Sequence, residues 1–309
     1  MGNAGELTRD LAQRVPGQSL IEQLLVEWDQ GHIRLGEAPG TVVIDEDARG
    51  WYWGVLGERR TASILSELDH QWTVLHSVPV GSGKTDIDHV VIGPGGVFTI
   101  NTKYSPGAKV WAAGRGLMVG GEKRNHYLNN SMAEAIRATR ALSDAAGFAV
   151  PVYSVIAFVN PASVTIRDKP GWNGIDLHVV SDRALVPFLT RRREVSDDQL
   201  NRMLDAAMRP EVWHTSPVAS APGRHLGREF DALREAVGPA LDSTRPDAVA
   251  VQRQPVHASR PSRSSAARPP RKRTSTSRRR SRSSGFLGTV GSMGLLFAVW
   301  YFFTNVYGK

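Results

Sequence analysis

The 309-residue chain contains no cysteine. Disulfides and every metal site built on thiolate are excluded, and a reducing compartment is compatible with the sequence. Acid is missing from one region, because residues 251–309 hold twelve Lys and Arg and no Asp or Glu. The formal charge of +8, from 38 bases against 30 acids, therefore misdescribes the remainder. Residues 1–250 keep 26 bases against those 30 acids, a net of −4, so the globular part is mildly acidic and overall basicity says nothing about its partners. The opening residues, Met1 to Glu6, lack the charged-then-apolar order of a signal peptide and the hydroxyl that myristoylation needs at position six. The N-terminus is accordingly not expected to be exported. A nucleotide cofactor is not expected either. Gly81-Ser82-Gly83-Lys84-Thr85 looks like the end of a phosphate-binding loop, but Val78 stands where the first glycine is needed, and a strand, not a helix, follows.

What is present centres on Asp86 to Lys103, DIDHVVIGPGGVFTINTK. Two β-rich runs flank a Gly-Pro-Gly-Gly turn, which is a hairpin signal. A turn at Pro94-Gly95 pairs Gly93 with Gly96 and sets Asp88 opposite Asn101. A turn at Gly95-Gly96 sets Asp88 opposite Lys103 instead. Side chains alternate with period two, so Asp88, Asn101 and Lys103 share one face under either register. An acid, an amide and an ammonium thus meet on an otherwise apolar sheet. Carboxylates hold hard divalent cations that generate an attacking hydroxide, and a lysine beside them steadies charge on phosphorus oxygens.

The run from Gly57-Glu58 through the hairpin to Pro106-Gly107-Ala108-Lys109-Val110 resembles the NERD (nuclease-related domain) family, placed within the restriction-endonuclease-like PD-(D/E)xK superfamily. The resemblance covers roughly residues 50 to 160. It implies an α/β fold with an αβββαβ core and a mixed sheet, and a Mg²⁺- or Mn²⁺-dependent nuclease acting on DNA or RNA. Asp88 matches the acid on the first strand of the hairpin, Lys103 the lysine, and Glu58 the acid of the preceding helix. Asn101 stands where the family pattern has Glu. The implied catalytic set is Asp88, Lys103, Asn101 and Glu58, with Asp88, Glu58 and Asn101 as metal ligands. Asp86, two residues before Asp88 and on its face, is a candidate to supply the charge that Asn101 lacks. The amide at 101 keeps a second reading open, a catalytically inactive module of the same fold that binds nucleic acid or a protein.

Along the chain, Ser19 to Glu22 reads as a capping box opening a helix with Ile21, Leu24, Leu25 and Trp28 inward. TVVID at 41–45 reads as a strand, and Trp51 and Trp53 as core residues. A helix is expected over Val55 to Leu68 with Glu58, Ala62, Leu65 and Leu68 on its inner face. Strands follow over Trp72 to Val80 and through the hairpin, then short strands at Lys109–Trp111 and Leu117–Val119. A helix over Asn129 to Ala146 is expected to turn Met132, Ile136, Thr139 and Leu142 inward. VYSVIAFV at 152–159 and LHVVS at 177–181 read as buried strands. Asp182 and Ser196 sit at cap positions, and Arg191-Arg192-Arg193 reads as a solvated loop. His89 falls opposite to Asp88, where a structural hydrogen bond is expected, and His76, His126 and His178 lack metal-ligand spacing.

The expected organisation is an N-terminal helical extension (1–50), the nuclease-like domain (51–185), C-terminal helices packed on it (186–215), an Arg/Ser/Pro-rich disordered linker (216–285) with an amphipathic piece around Leu226 to Val237, and a transmembrane helix (286–307). The last carries 22 uncharged residues, about 33 Å of helix against a hydrocarbon core of about 30 Å. Eleven Lys and Arg between Arg253 and Arg282 precede it and only Lys309 follows, which places the globular part on the cytoplasmic side of a cell membrane, single-pass. Partners are then the membrane, with anionic lipid at the basic linker, and nucleic acid.

Overall fold

A computed structural model describes residues 11–242 apart from 83–84, 173, 192–194 and 216–222. The expected linker from 243 onward, the transmembrane segment at 286–307, Lys84 of the loop and Arg192-Arg193 lie outside the described residues. Among the described residues no helix is long and apolar enough to cross a membrane.

The element that everything else packs on is β5 (Gly96–Tyr104), because it lies in the middle of a six-stranded mixed sheet. Its antiparallel neighbour is β4 (Asp86–Gly93), flanked by the edge strand β3 (Thr73–Pro79). Its parallel neighbour is β9 (Val152–Val159), followed by β12 (Ile175–Ser181) and the short β11 (Gly171–Trp172). Every residue of β4 and β9 is buried, which is why β9 reads as a continuous apolar stretch rather than an alternating one. The β4–β5 hairpin takes the first of the two anticipated registers, with Gly93 paired to Gly96 and His89 to Ile100. Glycine is required at both ends of this turn. A Cβ on Gly93 would sit 2.2 Å from the Trp72 ring, and Gly96 has φ +107° with the Pro151 carbonyl 2.8 Å from where its Cβ would be.

Two long helices cover the sheet on opposite faces. α2 (Glu46–Leu65) packs Ile64 and Leu65 against Val91, Phe98 and Ile100. α3 (Asn125–Ala146) packs Ala135, Ala138 and Leu142 against Val90, Ile92 and Val97. Burying each such aliphatic or aromatic side chain contributes about 1.5–3 kcal/mol. The order of α2, three strands, α3 and β9 is the αβββαβ core anticipated. Between β5 and α3 the chain adds β6 (Lys109–Ala113), β7 (Gly116–Val119) and β8 (Glu122–Lys123), a small sheet that β10 (Ser163–Asp168) joins in parallel with β6.

Several boundaries differ from expectation. α2 starts nine residues early, and its buried stripe runs through Gly57, Glu58, Thr61 and Ile64 in place of Ala62 and Leu68. α3 starts at Asn125, and Ile136 is 41% exposed, because the buried positions are Leu128, Ser131, Ala135, Ala138 and Leu142. The first helix, α1 (Gln18–Asp29), is not capped by Ser19. Gly17 in the left-handed region (φ 77°) is its N-cap, and Ser19 lies inside the helix, accepting from Arg14 Nη2. The capping box instead forms where Ser196 opens α5 (Asp197–Ala207), with Gln199 as the reciprocal partner. Asp182 belongs to a 3₁₀ turn (Asp182–Ala184) whose N-cap is Ser181.

The N- and C-terminal segments form one further layer. α1, α2, the hairpin of β1 (Ile33–Leu35) and β2 (Val42–Ile44), and α7 (Gly223–Val237) share a core containing Ile21, Tyr52, Leu226 and Phe230. The expected linker is therefore helical and packed over part of its length. Asp242, at the end of α8 (Pro239–Asp242), ties this layer down: Tyr52 Oη donates to its carboxylate at 2.7 Å, Arg234 grips it with two nitrogens, and Tyr104 Oη donates to its carbonyl.

Candidate metal and phosphodiester site

The face of a strand on which each residue lies follows from its partners. Thr102 Oγ1 donates to Thr61 Oγ1 of α2 at 3.2 Å, so even-numbered positions of β5 face α2 here. Asn101 and Lys103 face α3, because Asn101 Nδ2 donates to both carboxylate oxygens of Glu134 at 2.9 and 3.0 Å and Lys103 Nζ lies 4.9 Å from the centre of the Tyr127 ring. On β4, Val90 and Ile92 share the α3-side core, and alternation puts Asp88 on that side too. The acid, the amide and the ammonium thus share one face, as the period-two argument anticipated.

Asp88 is 1% exposed and holds the two strands together where the regular pairing stops. Beyond His89 and Ile100 the backbone ladder ends, and the Asp88 carboxylate accepts from Thr102 N–H at 2.7 Å. Opposite it on β3, Ser77 adopts φ +46°, a strained backbone for a non-glycine residue. This conformation is pinned from the N-terminal side. Arg14 Nε donates to Ser77 O at 2.6 Å, and Gln18 N–H donates to Ser77 Oγ at 3.0 Å.

Glu58 is buried as expected but approaches from α2, on the opposite side of the sheet from Asn101 and Lys103, and its Oε2 accepts from Gly17 N–H at 3.0 Å. Asp86 is buried and pairs with Pro79 at the start of β4. Among the described residues no three His, Asp or Glu side chains converge as metal holders, so Asp86, Asp88 and Glu58 do not form a three-carboxylate cage.

The residue that sequence reasoning missed is Glu134. It is buried on α3, four residues from Ala138 and seven from Tyr127, on the helix face that covers β5. Ser131 on that face meets Ser154 of β9 at 2.8 Å, oxygen to oxygen. Asn101 Oδ1, by contrast, is buried and has no hydrogen-bond partner. A bare amide oxygen beside buried carboxylates is the donor type a hard divalent cation takes, and this set of oxygens fits Mg²⁺ or Mn²⁺. The edge of the site is basic: partial burial first, then Arg124 and Lys103, hold the His126 imidazole below its ordinary value, and so neutral at pH 7. Burial pushes the Tyr127 hydroxyl up.

The other face carries a different pair. His76 and His89 meet through their Nδ1 atoms at 2.9 Å with edge-on rings. Burial lowers His76 to about 4, and burial first and the His76 charge second lower His89 well below its ordinary value. Both are neutral near pH 7, one donating and one accepting, which is the structural hydrogen bond anticipated for His89.

Residues 53–159 match the family model described as nuclease-related domain, NERD. The match begins within α2 and ends with β9, so it encloses Glu58, Asp88, Asn101, Lys103 and Glu134. No curated protein and no solved structure matches the chain.

Proposed function

We propose that this protein is a divalent-metal-dependent nuclease that hydrolyses phosphodiester bonds in DNA or RNA while tethered to a membrane. The observation that carries the reading is the placement of Asp88, Asn101 and Lys103 on one face of a hairpin inside the segment that matches a nuclease-related family. When bound, Mg²⁺ or Mn²⁺ would supply Lewis acidity and a hydroxide nucleophile. Asp88 and the Asn101 Oδ1 would hold it, since both offer oxygen and strand alternation puts both on one face of neighbouring strands. Lys103, held against the Tyr127 face, steadies the negative charge that grows on the phosphoryl oxygens. His126, neutral beside Lys103, is available to accept a proton at the open edge. Glu58 takes a supporting part, because its Gly17 bond fixes the N-terminal segment against α2.

The membrane part rests on the 22 uncharged residues at 286–307 and the eleven bases between Arg253 and Arg282 before them. They support a single span with the globular domain in the cytoplasm and its basic linker drawn to anionic lipid. Alkaline extraction of membranes from expressing cells tests this: the full chain stays in the pellet, and release into the supernatant contradicts a span.

The nuclease reading is tested by incubating the full-length chain with labelled DNA and RNA in Mg²⁺ or Mn²⁺, with EDTA as control. Metal-dependent cleavage that Asp88→Asn and Lys103→Ala abolish supports it. A chain that retains substrate without cleaving it points to the binding module that the amide at position 101 favours.

A further inference from the structure

The contacts between β5 and α3 leave one atom without a structural explanation. Asn101 is 2% exposed, both contacts of its Nδ2 go to Glu134, and its Oδ1 is buried with no partner. A side-chain amide can sit in either of two orientations that differ by exchange of oxygen and nitrogen. Glu134 decides between them, because the flipped amide would set oxygen against two carboxylate oxygens. The carboxylate therefore makes the oxygen, rather than the NH₂, the end left without a protein partner. Donation to a carboxylate also draws electron density toward Oδ1 and makes it a stronger acceptor for a cation. Contacts one and two turns before Glu134 hold the arrangement, Ser131 with Ser154 and Tyr127 with Lys103.

We infer that Glu134 and Asn101 act as one unit: Asn101 Oδ1 takes a hard divalent cation on the Asp88 side of the hairpin, and Glu134, without touching the cation, supplies the negative charge through the amide. The acid missing from position 101 has in effect moved back onto helix α3, much as a carboxylate behind a metal-bound imidazole orients and polarises it. Glu134 is thus a positioning residue. The inference rests on the proposed function for its cation only and is independent of whether nucleic acid is cleaved.

The test is Mn²⁺ binding to the full-length chain, followed by the loss of the free-ion electron paramagnetic resonance signal, with thermal unfolding in EDTA as the check on folding. Glu134→Gln lowers Mn²⁺ affinity by about 10- to 100-fold, the range for partners that act behind a ligand. In an Asn101→Ala background the same change has no further effect, since the amide that relays the charge is gone. Asn101→Asp combined with Glu134→Gln reverses the hydrogen bond while keeping one negative charge, and it restores affinity to the wild-type level or above. That double variant keeps a donor facing an acceptor, so it decides the matter even if Glu134→Gln alone unfolds. No Mn²⁺ binding by the wild type, wild-type affinity in Glu134→Gln, or an equal loss with and without the Asn101 amide overturns the inference. Binding through this pair without cleavage contradicts the nuclease reading alone. Cleavage with Glu134→Gln at wild-type Mn²⁺ affinity contradicts this inference alone.

Discussion

The two faces of the central sheet bury polar groups differently. On the α2 side, His76 pairs with His89 and Thr61 with Thr102, these four being neutral near pH 7, while the buried Glu58 carboxylate accepts from Gly17 N–H. On the α3 side, the buried Asp88 and Glu134 and the half-buried Lys103 put ionisable groups on one face, and the Asn101 amide oxygen among them is unpaired. Neutral pairs are an inexpensive way to fill a core, whereas clustered charges and a bare acceptor carry a desolvation cost that packing alone does not explain. On the proposed reading, structure belongs to one face and chemistry to the other.

Variants on the two faces should therefore separate activity from stability. The largest effect is expected from Lys103→Ala, which should lower kcat by about 10²–10³ with little change in melting temperature, checked by single-turnover cleavage. Asp88→Asn comes next. It should weaken Mn²⁺ binding measured by calorimetry and also destabilise the hairpin by about 1.5–3 kcal/mol, because the Thr102 N–H then loses a charged acceptor.

The histidine pair makes a prediction about pH with a definite sign. Both histidines are lowered in the folded state, so below their ordinary value near 6.5 the unfolded chain binds more protons. Stability then falls as pH drops from about 6.5 toward about 4, by at most about 1.4 kcal/mol per pH unit for each histidine. Urea unfolding across that range should show the slope, and His76→Gln should flatten it while cleavage at pH 7 is unaffected. The smallest effect is Thr61→Val, about 0.5–1.5 kcal/mol of stability and no change in activity. A loss of cleavage in either of these last two variants would break the division between the faces.

Much of this was legible in the chain, and the exceptions have physical causes. The shared face of Asp88, Asn101 and Lys103 needed only the period of a strand and the parity of a glycine-rich turn. The buried strand β9 announced itself as an unbroken apolar run. The early start of α2 was hidden because Gly50, Gly54 and Gly57 lower helix propensity. Two of them are used for close packing: a Cβ on Gly54 would meet Leu20 at 2.7 Å and one on Gly57 would meet Thr102 at 3.2 Å. Glu134 is the residue the sequence hid most effectively. Which helix residue lies over position 101 depends on how α3 docks, and a lone acid in a helix otherwise reads as solvated. The available signal was its spacing of four from Ala138 and seven from Tyr127, which places it on the inward stripe.

The central claim is that the α3-side face of the β4–β5 hairpin performs metal-dependent phosphodiester chemistry. Its most direct test is cleavage of labelled DNA and RNA by the full-length chain in Mn²⁺, wild type beside Lys103→Ala. The account predicts cleavage that EDTA abolishes and that falls by about 10²-fold or more in the variant. Cleavage unchanged by the loss of Lys103, or none from the wild type with either substrate, would contradict it.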